Sequence, residues 1–107
     1  MEIQEEILTI ILHSAHCKNH CKDALDTAKN GNFDLSSEHL TQAEDYIHQA
    51  HNIQTNFLTK QAQGEIISID LLTVHAQDHL MTAMTELSLT KELINMYKLI
   101  QSNLTTS

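Results

Sequence analysis

The chain has 107 residues, enough for one domain, and its 6 basic and 14 acidic side chains give a formal net charge of −8. This balance argues against a nucleic-acid partner, which needs a concentrated basic surface, and against an anionic membrane surface. Proline is absent and glycine occurs twice, a composition that excludes a sandwich of short strands and favours long helices. We therefore expect a single all-α domain over residues 1–107.

The N-terminus and the cysteine content indicate the cellular compartment. Residues 1–6 are acidic and lack the basic and apolar segments of an export signal. The sequence has no run of about 18 apolar residues, so direct insertion into a membrane is not expected. Two cysteines without an export signal are typical of a reducing compartment. These features predict a cytoplasmic protein.

The two glycines divide the chain into three predicted helices. Asn30-Gly31-Asn32 and Gln63-Gly64 are typical helix stops. Short connections between long helices predict an antiparallel up-down-up bundle. The expected bounds are about 3–29 for helix 1, about 35–62 for helix 2 and about 70–102 for helix 3, with 103–107 as a frayed tail.

Polar residues near the predicted helix starts are candidate caps. Asp34 or Ser36 can cap helix 2, and Ser68 or Asp70 can cap helix 3. Helix 1 has one stripe with steps of four and three residues, and its members become smaller along the helix. That stripe consists of Ile3, Ile7, Ile10, Ser14, Cys17, Cys21, Ala24 and Ala28. The stripe of helix 2 consists of Leu40, Ala43, Ile47, Ala50, Gln54 and Phe57 or Leu58.

Helix 3 departs from simple amphipathicity. Its apolar residues lie on two sides, which is typical of a helix that is largely buried. One side contains Val74, Leu80, Met81, Met84, Leu87 and Ile94, and the other contains Leu71, Leu72, Leu89, Leu93, Met96 and Ile100. The polar band between them consists of His75, Asp78, His79, Thr82, Thr85 and Glu86. Such a band is either satisfied inside the structure or reserved for chemistry.

The segment His75-Ala76-Gln77-Asp78-His79 brings two imidazoles and a carboxylate to one patch of helix surface. Metal binding by both histidines with Asp78, acid–base catalysis by an Asp-oriented histidine, and nucleophilic catalysis by an imidazole all fit this spacing. An ordinary solvent-facing group of polar side chains fits it equally well.

A second cluster, His16-Cys17-Lys18-Asn19-His20-Cys21, contains two pairs at a spacing of four residues. Nitrogen and sulfur ligands at this spacing suit zinc or copper. Packing is favoured, because Cys17 and Cys21 lie in the helix 1 stripe as small apolar residues. A disulfide between them is not expected, since their Cβ vectors point in parallel directions. His39 is expected to be exposed, and Gln54 needs a polar partner in the buried seam.

The block from Val74 to Met84, VHAQDHLMTAM, closely resembles the lactose/cellobiose-type IIA components of the bacterial sugar phosphotransferase system. The resemblance extends over about residues 3–101, through Asp23-Ala24-Leu25, Ala50–Thr55 and Gly64-Glu65. The form of the block, with Ala76, is more similar to the cellobiose/chitobiose branch than to the lactose branch.

The resemblance implies a phosphohistidine carrier that accepts a phosphoryl group from phospho-HPr and passes it to the IIB component, which serves the membrane IIC component during uptake of a β-linked disaccharide. It implies phosphorylation of His75 and places Asp78 as a ligand of Mg²⁺ or another divalent cation on the axis of a homotrimer of nine helices. Gln77 and His79 are carried over as supporting residues. A homotrimer also agrees with the thin core expected from two Phe, two Tyr and no Trp.

The chain departs from the family pattern in helix 1. The family usually has Gly and Arg where this chain has Ala15 and Lys18, and lysine lacks the bidentate contacts of arginine. Two other functions stay open: a helical scaffold or regulatory bundle without phosphoryl chemistry, and a small metal-storage or sensing bundle that uses His16, Cys17, His20 and Cys21.

Overall fold

The computed structural model describes the backbone of residues 3–106 and the side chains of residues 3–104. The predicted domain of residues 1–107 also includes Met1, Glu2 and Ser107, which lie outside the described residues. The chain folds into three helices, which confirms the predicted all-α class. They pack as an elongated antiparallel bundle of 62 × 20 × 19 Å. The helices are α1 (Ile3–Lys29), α2 (Phe33–Ala62) and α3 (Leu71–Thr106).

Both predicted helix stops are present. Gly31 and Gly64 have φ values of 81° and 93°, in the left-handed region that glycine adopts without a Cβ clash. At the first stop, the amide of Asn32 donates to the carbonyl of Thr27 at 2.9 Å, and the amide of Gly31 donates to that of Ala28 at 3.0 Å. These bonds satisfy the last carbonyls of α1 and turn the chain back towards α2.

The cap of helix 2 was predicted wrongly. Its N-cap is Asn32, whose side chain accepts a hydrogen bond from the amide of Leu35 at 3.2 Å, so α2 begins at Phe33. Ser36, one of the expected caps, is instead buried and donates its hydroxyl to the carbonyl of Ala24 at 2.8 Å. Asp34 lies within the first turn of α2, where its negative charge interacts favourably with the positive end of the helix dipole.

The cap of helix 3 agrees with one of the two candidates. The carboxylate of Asp70 accepts hydrogen bonds from the amide of Thr73 at 2.9 Å and from its hydroxyl at 2.8 Å. These bonds hold the pKa of the Asp70 carboxyl below its usual value. The predicted tail is wrong for residues 103–106, since α3 continues to Thr106. No glycine or proline in this stretch stops the helix.

The core of α1 follows the predicted stripe, with one exception. Every member from Ile7 to Ala28 is buried, whereas Ile3 at the helix start is exposed. In α2, the core residues Ala43, Ile47, Ala50 and Phe57 are buried, and Leu58 faces outwards. The small residues towards the end of α1 allow the neighbouring helices to approach closely there.

The packing face of α3 was predicted only in part. Leu80, Leu87 and Ile94 are buried as expected, but Val74, Met81 and Met84 are exposed. Small residues complete the buried face, which consists of Ala76, Leu80, Ala83, Leu87, Thr90 and Ile94. The prediction that α3 is largely buried is wrong for the single chain, because most of its large apolar residues remain on the surface.

Candidate functional site

The first turns of α3 display the histidine block on the surface of the bundle. Because Asp70 caps the helix, His75, Asp78 and His79 lie in its first three turns. His75 and Asp78 are exposed, whereas His79 is half-buried. The two imidazole rings meet edge to face, with centroids 4.4 Å apart and an interplanar angle of 81°. The ring of His79 therefore supports the ring of His75 from one side while leaving it open to solvent.

His79 has the environment of a neutral imidazole. Burial lowers its pKa below the usual value, the charges of Lys18 and His75 act in the same direction, and Asp78 opposes them. A histidine whose pKa is lowered carries no charge at pH 7, so one ring nitrogen donates and the other accepts. Its Nδ1 atom is buried, and among the described residues it has no hydrogen-bond partner.

A polar bridge between α2 and α3 lies beneath the histidine pair. The side-chain amide of Gln54 donates to the side-chain oxygen of Gln77 in a short hydrogen bond. Gln77 thereby provides the partner that Gln54 was predicted to need. Since Gln77 follows the buried Ala76, this bridge restricts rotation of the helix turn that carries His75.

An apolar groove opens beside His75. Leu71, Leu72 and His75 line a space of about 520 Å³. Leu71 is 84% exposed, and Ile66 and Ile69 in the preceding connector are 95% and 78% exposed. An apolar surface of this kind around a polar side chain is typical of a site where a protein partner docks.

Asp78 faces away from the core of its own chain. At about 100° per residue, it lies about 180° around α3 from Leu87 in the buried face. Ten exposed residues lie within about 40° of Asp78 around the helix, Val74, Glu92 and Asn103 among them. The other seven are named here the outer stripe: Leu71, Asp78, Thr82, Thr85, Leu89, Met96 and Ile100. His75 lies at the margin of this stripe, about 60° around the helix from Asp78.

The chain is similar to one known protein family over most of its length. The family model described as "PTS system, Lactose/Cellobiose specific IIA subunit" matches residues 5–98. The chain belongs to this family. It is a phosphoryl-transfer component of the sugar phosphotransferase system, with the three-helix fold of the IIA proteins. Among residues 3–106, none of the helices has the length and hydropathy of a membrane span.

Individual relatives match over nearly their whole length. The chain is 36% identical to the lichenan-specific phosphotransferase enzyme IIA component of Bacillus subtilis, covering 92% of this chain and 90% of the relative. The cellobiose-specific enzyme IIA of Bacillus anthracis superposes with a TM-score of 0.90 at 34% identity, over 95% and 94% of the two chains. A IIA component from the Escherichia coli N,N'-diacetylchitobiose branch, solved as a complex with HPr, superposes with a TM-score of 0.78 at 30% identity, over 94% and 98%.

The second histidine–cysteine cluster does not converge on a common point. Cys17 and Cys21 are free thiols in the core, as predicted. The rings of His16 and His20 stack on Tyr46 of α2, with centroid distances of 4.8 and 5.7 Å. The sulfur and nitrogen atoms therefore have different neighbours, which favours the packing interpretation.

The prediction that His39 is exposed is wrong. It is half-buried, with its Nδ1 atom 3.2 Å from Nδ1 of His20. Sequence reasoning missed this pair, because the two histidines lie on different helices and no local pattern connects them.

The two cysteines are expected to react slowly with thiol reagents. Both thiols are buried, which keeps reagents away from them. The hydrogen bond with Cys21, together with burial, holds the pKa of Cys17 above the usual range, whereas the same bond lowers the pKa of Cys21, so Cys21 is protected by its burial. Since the thiolate is the reactive form, modification of the native protein should be slow and should become fast after unfolding. The matched control is the variant Asn19→Cys, which adds a thiol at an exposed position of the same helix. That added thiol should react rapidly in the native protein. Fast modification of two native thiols in the wild type would contradict the packing role.

Proposed function

We propose that His75 accepts a phosphoryl group from HPr and passes it to the IIB component during uptake of a β-linked disaccharide. The main support is the exposed imidazole at the edge of an apolar groove on a chain of the IIA family. The HPr complex of the chitobiose relative supports the donor. Relatives named for lichenan, cellobiose, lactose and chitobiose support a β-linked disaccharide of the cellobiose, chitobiose or lactose class.

The proposed chemistry is a phosphoryl exchange between imidazoles. A ring nitrogen of His75 attacks phosphorus with its lone pair, the phosphorus–nitrogen bond of the donor breaks, and that electron pair returns to the donor ring. The product stores the phosphoryl group on nitrogen, from which the acceptor protein attacks in the next step. Because the covalent chemistry is simple, the protein contributes mainly position, exclusion of water and stabilisation of charge.

Three neighbours of His75 have supporting roles in this proposal. His79, neutral and in edge contact, orients the ring of His75, and its single N–H group suits a phosphoryl oxygen as a hydrogen-bond donor. Gln77 fixes the turn through Gln54. Lys18 lowers the pKa of His79, so its positive charge acts at the site and favours the dianionic group.

We also propose a homotrimer with the outer stripe at its axis. Leu89, Met96 and Ile100 are each more than half exposed in the single chain, on the side of α3 opposite the core. A long helix with an uncovered apolar stripe needs a partner, and identical stripes around a threefold axis can cover one another. This arrangement places His75 at the rim, where partner proteins can reach it.

The carboxylate of Asp78 fits a shared cation site in such a trimer. Asp78 is exposed and lies in the outer stripe, so three copies would meet at the axis. At about 4 Å and an effective dielectric constant near 20, each carboxylate pair repels by about 4 kcal/mol. Oxygen ligands suit Mg²⁺, whose positive charge would offset this repulsion.

Transfer from phospho-HPr tests the proposed function. We expect a mass increase of one phosphate per chain, located on the peptide that contains His75. The modification should be lost in acid and stable in base, as expected for phosphorus on nitrogen. The scaffold alternative predicts binding of a partner without any mass increase, and that outcome would overturn the proposal.

A further inference from the structure

A second group of metal-ligating side chains lies outside the histidine block of α3. His20 and Asp23 on α1 and His39 on α2 each offer one ligand atom, and these atoms all lie within 4.8 Å of one another. We name this group the α1–α2 histidine site. We propose that it binds one transition-metal ion of the Zn²⁺ type, which joins the two helices.

The spacing of the two imidazoles suits a metal ion. Their Nδ1 atoms are 3.2 Å apart. Two nitrogens that each lie 2.0–2.1 Å from a tetrahedral zinc ion are about 3.3 Å apart. The observed separation therefore matches one edge of the coordination tetrahedron without movement of either helix.

The tautomers open to two neutral imidazoles permit this coordination. A neutral imidazole has one nitrogen with a lone pair and one with a hydrogen. Two lone pairs facing each other at 3.2 Å repel unless a hydrogen or a cation lies between them. In the metal-free protein, one Nδ1 carries the hydrogen. When the metal binds, that hydrogen moves to Nε2 through solvent, and both Nδ1 lone pairs face the ion with no net release of protons.

The surroundings hold the two rings in place. His20 stacks on Tyr46 with an interplanar angle of 14°, and both histidines are half-buried. Asp23 is exposed, so its carboxylate is free to turn and close the remaining distance to the ion. Two nitrogens and one oxygen leave the fourth position of a tetrahedral zinc ion for water.

The ligand types decide which class of ion fits. Imidazole nitrogen favours zinc, copper and nickel over magnesium, which prefers an octahedral shell of oxygens. This site is therefore chemically different from the carboxylate site proposed at Asp78. Because residues 20 and 39 lie on opposite sides of the turn at Gly31, the ion would connect α1 to α2 across that turn and stabilise the hairpin.

Zinc titration of the purified full chain tests the inference. We expect one Zn²⁺ per chain and a Tm that rises by several degrees at saturating zinc. Asp23→Asn changes only an exposed side chain and should weaken zinc binding by at least about tenfold. His39→Gln should do the same, with helix content checked by circular dichroism. His48→Gln, an exposed histidine of α2, is the matched control and should bind as the wild type does.

Two further measurements separate this site from its alternatives. His75→Gln should keep the zinc-induced rise in Tm, since the pair at 75 and 79 is not involved. Substitution of Co²⁺ should give a visible spectrum without the near-ultraviolet thiolate band that coordination by Cys17 or Cys21 produces. An unchanged affinity in both Asp23→Asn and His39→Gln, or the presence of the thiolate band, would overturn the proposal and leave a simple hydrogen bond between two histidines.

Discussion

We expect His75→Gln to take up no phosphoryl group from phospho-HPr. Glutamine keeps a neutral polar side chain but has no nucleophilic nitrogen lone pair. Loss of a nucleophile removes the covalent step entirely, so labelling should fall by at least about three orders of magnitude. Because His75 is exposed and outside the core, the helix content and the oligomeric state should not change. The measurement is intact-protein mass spectrometry after incubation with phospho-HPr.

Two controls make the loss specific. His48→Gln removes an exposed histidine from α2 and should be labelled to the wild-type level. His79→Gln keeps the nucleophile but loses the ring that supports it, so transfer should be slower while the final level of labelling is unchanged. Full labelling of His75→Gln would contradict the proposed assignment, and labelling of neither His75→Gln nor His48→Gln would indicate a more general defect.

The fold was predictable where one local pattern decides it. The stripe of α1 repeats at steps of four and three residues with no competing apolar side, and all its members except Ile3 are buried. The stops at Gly31 and Gly64 were predictable because their positive φ values favour glycine over all other residues. Helix starts were harder, since several polar residues compete for the role and the observed cap, Asn32, also belongs to a predicted stop.

The packing face of α3 was ambiguous in the sequence because two apolar sides compete. Because their side chains are large and apolar, Met81 and Met84 were assigned to the packing face, but both are exposed. Ala76 and Ala83, which are small enough for close helix approach, lie in the core instead. The excess of apolar residues has a physical explanation in the proposed trimer. In that trimer, one side of α3 would pack inside the chain and the outer stripe would pack between chains.

In the candidate site too, contacts within one helix were predictable and contacts between helices were not. The spacing within α3 predicts that His75, Asp78 and His79 share a patch, since residues on one helix have a known geometry. The bond between Gln54 and Gln77 and the pair formed by His20 and His39 depend on how two helices rotate against each other. That rotation is a property of the whole packing, so no local pattern predicts either contact.

We expect Met96→Asp to dissociate the proposed trimer into monomers at micromolar concentration. Met96 is 56% exposed and lies 18 residues after Asp78, which is about five helical turns. The two side chains therefore share one line along the outer stripe. Three new carboxylates at an apolar axis, with no cation to offset them, would cost several kcal/mol each in lost hydration, besides their mutual repulsion. Sedimentation velocity measures the change in mass.

Two matched variants show whether charge or apolar packing at the axis determines the oligomeric state. Met96→Leu conserves apolar volume and should remain a trimer. Asp78→Leu should also remain a trimer but should lose the divalent cation, measured by equilibrium dialysis, because apolar packing can replace a charge cluster that a metal had compensated. If α3 does not line the axis, Met96→Asp should have the mass of the wild type. If the cation is what holds the chains together, Asp78→Leu should be monomeric, and the uncovered apolar stripe would then need another partner.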